Sequence, residues 1–583
     1  MTHRLARPAF DLDKRGLSRV FAAVSFGWRK GFVYDTSLPD AGQRAGEERG
    51  LSDELHHECG VAALYWLDKS AARGGLASKT VGARGGNVTG SIPQMLLDLQ
   101  NRGQLAAGLS SYNENRVQRL DTFKDIGTVA EAFRMSHPAK FHAILDEYAG
   151  RAAIGHTRYA TCGQDDARYA QPFERHHGRL WKWFAFGFNG NLANYAALRN
   201  RLLTRRNYHF TLDTDTEIIM HQLSYRLRGE KTPDLRDVMA TMARDFDGAY
   251  NMVFLDAMGR MFAARDPRGF RPLCYGVQGR LFAAASESVA LSNLGFRESE
   301  IRHMGPGEMA IVEKSKVRVE RFCPPRRHAH CFFEWVYFSN AASTIDDRGV
   351  YTARARSGQM LADVEDQPID DECIVVPVPD TAKAAADAFA FRMGIPSVEG
   401  LMRNRYVGRT FIQPNTTRGD SARNKYTPLP TVLAGKKVFL VEDSIVRSTT
   451  LKTLVDQLRR RGRAKEIHVR VACPAIVAPC FYGIDMSTLD ELFAPKYVRR
   501  NYHGTLTPAA QAAMAKVLGV DSLRYMSVGD LGRCLGMAGN ELCTGCVSGK
   551  YPTASGNRLM ARARRNRGKA RKGRTYEQAT GRQ

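Results

Sequence analysis

VFLVEDSIVRSTT, residues 438–450, decides how the second half of this chain is read. An apolar run, Val438–Val441, ends in two carboxylates, Glu442 and Asp443. A hydroxyl-rich loop follows, and then a segment with helical spacing. Leu451, Leu454, Val455 and Leu458 fall on one face of that helix, and Gly462 is placed to cap its end. A buried strand that opens into a helix N-terminus offers backbone N–H groups to a phosphate. Ser444, Ser448, Thr449 and Thr450 surround that position, and Glu442 and Asp443 stand where carboxylates can grip ribose hydroxyls or a metal ion. Acids at a strand end often only face water or cap a helix; the full pattern outweighs that reading.

Working outward, CIVVPVP (373–379) and EIHVRVACP (466–474) are further apolar strands separated by helical segments. Strand–helix–strand alternation with apolar strands predicts a parallel sheet. The first of these strands runs into VVPVPDTAKAAA (375–386), which places Asp380 and Thr381 in a second loop. LMRNRYVGRTFIQP (401–414) sets three arginines around Tyr406 and Gly408, and alone would read as a basic surface loop. Before about residue 335 the pattern differs. Short strand-like runs (CGVAALYW, RAAIGHTRYAT, WFAFGFNG, AYNMVFLDA, RMFAARD, RLFAAASE, MAIVEK) alternate with amphipathic helices over 194–203 and 215–228. That mixture predicts a layered α/β sandwich. Residues 71–95, rich in Gly, Ala and Ser, read as a surface loop.

Composition narrows the classes. A chain of 583 residues with 43% hydrophobic content is too long for one core. No apolar run approaches the length of a membrane span, and the N-terminus lacks a secretory h-region. Eleven cysteines in this length are too sparse for a disulfide scaffold, so a reducing cytoplasm is the expected setting. The net charge of +25 admits a nucleic-acid-binding protein as a rival class. Residues 551–583 carry ten Arg or Lys against one acid, which predicts a basic, disordered tail from 554 with non-specific polyanion contact as a further property.

VFLVEDSIVRSTT resembles the 5-phosphoribosyl-1-pyrophosphate (PRPP) motif of type I phosphoribosyltransferases. It is most similar to the DDSIVRGTT form of the glutamine PRPP amidotransferase family, with Glu442 and Ser448 as departures. VPVPDTA resembles the family's pyrophosphate-side PVPDSG loop, with Thr381 for Ser and Ala382 for Gly. The 401–414 segment is similar to the family's catalytic loop that closes over PRPP. The resemblance assigns PRPP binding to Asp380, Thr381, Arg403, Arg409, Glu442, Asp443, Ser444, Ser448, Thr449 and Thr450. It assigns Mg²⁺ to Thr381, Glu442 and Asp443.

Five ordered motifs resemble an N-terminal-nucleophile glutaminase: ECGVAAL, LQNRGQLAAGLS (99–110), GHTRYAT (155–161), FNGNLAN (188–194) and DTDTEI (213–218). By resemblance Cys59 is the nucleophile, Arg158 takes the glutamine carboxylate and Asp215 its ammonium. The Asn189 side chain and Gly190 N–H form the oxyanion hole. The free α-amine of an N-terminal Cys can serve as its own base. Fifty-eight residues precede Cys59, so the mechanism demands cleavage after Glu58. LSDELHHE (51–58) alone resembles the family's short propeptide; a long pro-segment and a start assigned too far upstream both remain open.

Some members of the family hold a [4Fe–4S] cluster. HCFFEWVYF, APCFYGID and ELCTGCVSGKYPT match its ligand segments, which implies Cys331, Cys480, Cys543 and Cys546 as ligands. Zinc at the same thiolates is the alternative, and Cys323 is a near alternative to Cys331.

The resemblance implies an N-terminal four-layer αββα Ntn-hydrolase glutaminase domain over 59–330, after an extension or propeptide at 1–58. A C-terminal type I phosphoribosyltransferase parallel-sheet domain follows over 331–553. The expected activity makes 5-phosphoribosylamine, glutamate and diphosphate from glutamine, PRPP and water, the entry step of purine synthesis. Ammonia would pass through an apolar channel lined in part by FFEWVYF. A homotetramer inhibited by purine nucleotides is also implied. A catalytically impaired PRPP- or nucleotide-binding regulatory homologue is the rival, motivated by Ser448, Ala382 and the long N-terminal segment.

Overall fold

The computed structural model describes residues 59–68, 75–82, 85–159, 167–206, 208–212, 214–404, 426–486, 488–498 and 502–568. Residues 1–58, Cys162, Arg409 and 569–583 therefore lie outside the described residues.

The N-terminal half is built on two antiparallel sheets. Strand Gly60–Trp66 lies inside a seven-stranded sheet, between Leu281–Ala285 and Ala152–Arg158. A six-stranded sheet carries Phe184–Leu192 beside Gly248–Asp256. Both strands of this last pair are buried almost throughout, because the sheets face one another. Val61, Ala63, Ile154, Val253, Leu255 and Ala284 fill the space between them. Alanines recur among larger side chains there, as in a core formed by two interdigitating sheet faces. Helices Ile92–Asp98 and Ser288–Leu294 pack on the outer face of the first sheet. Helices Asp215–Arg226 and Leu235–Asp245 pack on the outer face of the second. The result is a four-layer αββα sandwich.

Residues 71–95 are not the single surface loop that their composition predicts. They form a helix at Leu76–Gly82, a 3₁₀ turn at Thr89–Ser91 and the start of the Ile92–Asp98 helix. Pro93 reads as a loop residue, yet it occupies the first helical turn, where its missing N–H costs nothing. Ile92, Met95 and Leu96 then bury against the sheet.

The C-terminal half centres on a parallel sheet in the order Cys373–Pro377, Lys437–Glu442, Glu466–Val471, Ser522–Tyr525. Helices Val350–Asp363, Lys383–Met393 and Thr449–Arg460 pack around it. A two-residue parallel pairing joins His330–Cys331 to Leu542–Cys543. The core of this half reaches across to Ala193, Ala249 and Phe270 of the sandwich.

The expected disorder from residue 554 is corrected at its start. Ala554–Arg565 is a helix that buries Leu559, Met560 and Ala563. Thr553 caps it, its hydroxyl accepting from Gly556 N at 3.0 Å. Arg562, Arg564 and Arg565 occupy the last turn, where cations favour the helix dipole. The basic composition masks an amphipathic helix. Among the described residues, no helix is long and apolar enough to cross a membrane.

Candidate active sites

The glutamine-side residues converge at one end of the sandwich. Gly60 lies opposite Thr157 in the first sheet, which sets Cys59 beside Arg158. Cys59 is 7% exposed, and its thiol points to the carbonyl of Tyr159 at 3.8 Å. The Thr157 hydroxyl accepts from Gly60 N at 3.1 Å, pinning the nucleophile's backbone. The Arg158 guanidinium stacks over the Tyr169 ring at 5.4 Å.

His156 bridges the two sheets at this end. Its Nε2 lies 3.0 Å from the Phe188 carbonyl, and burial pushes its pKa down to about 3. A neutral ring carrying its proton on Nε2 is therefore the form that donates to that carbonyl. The residue after Phe188 is Asn189. Its amide is wholly buried, and among the described residues neither Oδ1 nor Nδ2 has a hydrogen-bond partner. A buried amide without partners costs about 1–3 kcal/mol, so its two polar atoms are available to a ligand's polar groups. Gly190 follows at φ 146°, where an added Cβ would lie 2.1 Å from the Ala249 carbonyl oxygen. Only glycine fits there.

Asp215 begins helix Asp215–Arg226 and accepts from Leu192 N at 3.1 Å. That bond ties it to the end of the Asn189 strand. Burial raises its pKa to about 6, against the lowering effect of the Leu192 and Thr216 N–H groups. Cys59, Arg158, Asn189, Gly190 and Asp215 are thus brought to neighbouring strand and helix ends.

The phosphate-side residues meet at the C-terminal edge of the parallel sheet, the usual ligand crevice of such sheets. Glu442 ends its strand. Asp443, 5% exposed, accepts from the Ser444 hydroxyl at 2.6 Å and from the Thr381 hydroxyl. The two loops singled out in the sequence therefore touch. Ser448 precedes helix Thr449–Arg460 at φ −94°, ψ −8°, and Ala382 stands at φ −77°, ψ −10°. Neither position needs the left-handed region that favours glycine. Arg403 pairs with Asp380 at 2.8 Å on the surface. Arg409 lies outside the described residues.

Sequence reasoning missed several groups that hold these loops. Arg447 pairs with Glu491, and Phe493 N donates to Val446 O at 2.9 Å. These contacts floor the phosphate loop with the segment that follows Cys480. Tyr426 donates to the Pro379 carbonyl at 3.1 Å. A narrow cleft runs from Thr381 and Asp443 to Trp335, Val336 and Arg354.

The four cysteines also converge. Cys331 lies opposite Cys543 in the parallel pairing. The Cys546 carbonyl accepts from Val477 N and Ala478 N, at 2.8 and 2.9 Å, just before Cys480. Burial raises the Cys543 thiol pKa to about 12, and it raises Cys546 well above its usual value, with Cys480, Cys543 and Cys331 adding to the latter. Grouped, buried thiols of this kind resist ionisation unless a metal replaces their protons. Among the described residues, no set of three Cys, His, Asp or Glu side chains is already arranged to hold a metal ion.

A glutamine amidotransferase domain family matches residues 156–293. The amidophosphoribosyltransferase of Methanothermobacter thermautotrophicus is 36% identical over 86% of this chain and 95% of its own length. That of Methanocaldococcus jannaschii is 36% identical over 80% of this chain and 95% of its own. Among solved structures, glutamine PRPP amidotransferase from B. subtilis complexed with ADP and GMP is 32% identical, with a TM-score of 0.70. The match covers 85% of this chain and 98% of that one. Similarity at this level over most of this chain and nearly the whole of these relatives places this chain in the amidophosphoribosyltransferase family.

Proposed function

We propose the following division of labour for the family's reaction in this chain. Cys59 Sγ, as thiolate, attacks the side-chain amide carbon of glutamine. Arg158 holds the substrate carboxylate and Asp215 its ammonium. Negative charge on the tetrahedral oxygen is met by the Asn189 amide and the Gly190 N–H. Ammonia leaves, and water cleaves the thioester to glutamate. The Cys59 α-amine, freed after Glu58, carries the proton from the thiol to the departing nitrogen. The observation that carries this reading is the buried, unpartnered Asn189 amide beside a glycine-only turn.

Ammonia then attacks the anomeric carbon of PRPP and diphosphate leaves. Ser444, Ser448, Thr449 and Thr450 receive the 5-phosphate at the helix start. Asp380, Thr381 and Arg403 face the diphosphate, a role the resemblance alone extends to Arg409, and Glu442 and Asp443 face the ribose. Thr381, Glu442 and Asp443 present hard oxygens and would hold Mg²⁺, which neutralises charge on the leaving diphosphate. The cleft from Trp335 and Val336 to Asp443 would serve as the acceptor end of an ammonia passage along the aromatic segment.

We assign a [4Fe–4S] cluster to Cys331, Cys480, Cys543 and Cys546; it would tie three segments together. Iron and acid-labile sulfide in equal amounts would support it, and stoichiometric zinc in their place would refute it. Inhibition by purine nucleotides, a homotetramer and a cytoplasmic setting complete the proposal. The nucleotide expectation is supported by the complex of the B. subtilis relative with ADP and GMP.

The test of the central reading is a coupled assay run with glutamine and with NH₄⁺, together with the intact mass of the mature protein. A mature chain beginning upstream of Cys59 that still hydrolyses glutamine would overturn the α-amine as base.

A further inference from the structure

We propose that Glu334 is a positioning residue that couples glutamine cleavage to amine synthesis, through a buried charge cluster between the two half-sites. The inference rests on the placement of glutamine at Cys59 and of the ammonia acceptor at Asp443.

Glu334 opens the short helix Glu334–Phe338 and is 1% exposed. Two arginines of the glutaminase sandwich grip it. Arg102 Nη2 reaches its Oε2 at 2.7 Å, and Arg271 Nη1 reaches its Oε1 at 3.2 Å. Arg102 Nε also pairs with Glu287 at 2.6 Å, where both side chains are fully buried. The Ser339 hydroxyl donates to Glu334 Oε2 at 2.9 Å and lies 2.9 Å from Arg102 Nη2. Arg102, Arg271, Glu334 and Glu287 are thus closed off from water together.

The cluster touches both chemistries. Arg102 is followed by Gly103, where an added Cβ would lie 2.6 Å from the Arg158 carbonyl carbon. Leu105 N donates to the Arg158 carbonyl at 3.1 Å. The backbone that carries the glutamine-carboxylate arginine is therefore packed on the residues next to Arg102. On the other side, Trp335 and Val336 follow Glu334 directly and line the cleft that ends at Thr381 and Asp443. Arg271 Nη2 continues to the Tyr482 carbonyl at 2.7 Å, in the cysteine-bearing segment. A shift of the Arg158 strand end and a shift of the cleft wall cannot occur independently while Glu334 is charged and held by both arginines. Buried charges of opposite sign tolerate little separation.

Glu334→Gln keeps the side-chain size and removes the charge. In the full-length, processed enzyme, glutamine-dependent amine synthesis should fall at least tenfold relative to NH₄⁺-dependent synthesis. Glutamate released per amine formed should rise severalfold. Parallel loss of both routes would reduce Glu334 to a structural role and overturn the proposal, as would an unchanged ratio. If Glu334→Gln does not fold, Ser339→Ala removes one contact to each partner and is read by the same ratio; no change there also overturns it. A wild type that makes no amine from NH₄⁺ would instead overturn the placement of the acceptor site, and the coupling with it.

Discussion

Asn189 and Asp215 show how single residues here are tuned by what surrounds them. Asn189→Ala removes one of two oxyanion donors and should lower glutamine-dependent kcat by about 10²–10³-fold. Synthesis from NH₄⁺ should be unchanged, which a side-by-side assay checks. Asp215 has a folded-state pKa of about 6, raised by burial. Below that pH its carboxyl is neutral and loses its attraction for the glutamine ammonium. The KM for glutamine should therefore rise as pH falls through about 6, with no matching change in the KM for NH₃. The sign for stability is opposite. The folded state holds this proton more tightly than the unfolded chain, so ionising Asp215 costs stability as pH rises toward and past 6. Asp215→Asn should raise the Tm more at pH 8 than at pH 5 while abolishing tight glutamine binding. The grouping of Cys59, Arg158, Asn189, Gly190 and Asp215 was legible because each sits in a short motif whose order along the chain is itself a signal. Ser448 and Ala382 were legible as departures, but not their consequence: both occupy ordinary right-handed backbone, so a Cβ is tolerated.

At the level of elements, period and caps predict more than composition does. The Thr449–Arg460 helix was readable from Leu451, Leu454, Val455 and Leu458, all of which are buried. The Ala554–Arg565 helix was not, because ten basic residues after position 550 obscured Leu559 and Met560. Gly556 makes that helix testable. A Cβ there would lie 2.3 Å from the Tyr482 hydroxyl and 2.8 Å from Tyr551 Cβ. Gly556→Ala should destabilise the protein by about 1–3 kcal/mol through overpacking, read by denaturant midpoint. Truncation after residue 568 removes none of these contacts and should leave the midpoint unchanged. If that truncated protein also keeps its full retention on a polyanion column, the contact expected of the basic tail does not come from the residues beyond the helix.

For the whole molecule, the joint between the halves was the least legible part. The Arg102–Glu287 and Arg102–Glu334 pairs join residues 185 and 232 positions apart, and neither partner advertises the other in local sequence. LQNRGQ flagged Arg102 only as part of a glutaminase motif. Arg102→Ala would leave two buried carboxylates short of a cation and should cost about 3–5 kcal/mol. A denaturant titration compared with Arg134→Ala, whose pairing with Asp125 is at the surface, would isolate the effect of burial. The net charge of +25, by contrast, predicted nothing about the fold, because long-range charge sets solubility and association rather than architecture.

The pairing of His330–Cys331 with Leu542–Cys543 sets a timetable for the ribosome. The two partners lie roughly 200 codons apart, so at 5–20 residues per second the first waits about 10–40 s for the second. During that interval the segment that carries Phe332 and Phe333, fully buried in the finished protein, lacks its pairing with Leu542–Cys543. Nascent chains stalled before residue 542 should therefore recruit a hydrophobic-binding chaperone, and chains stalled once the 542–565 region has emerged should release it. Equal recruitment at both lengths would show that the seam closes by another route.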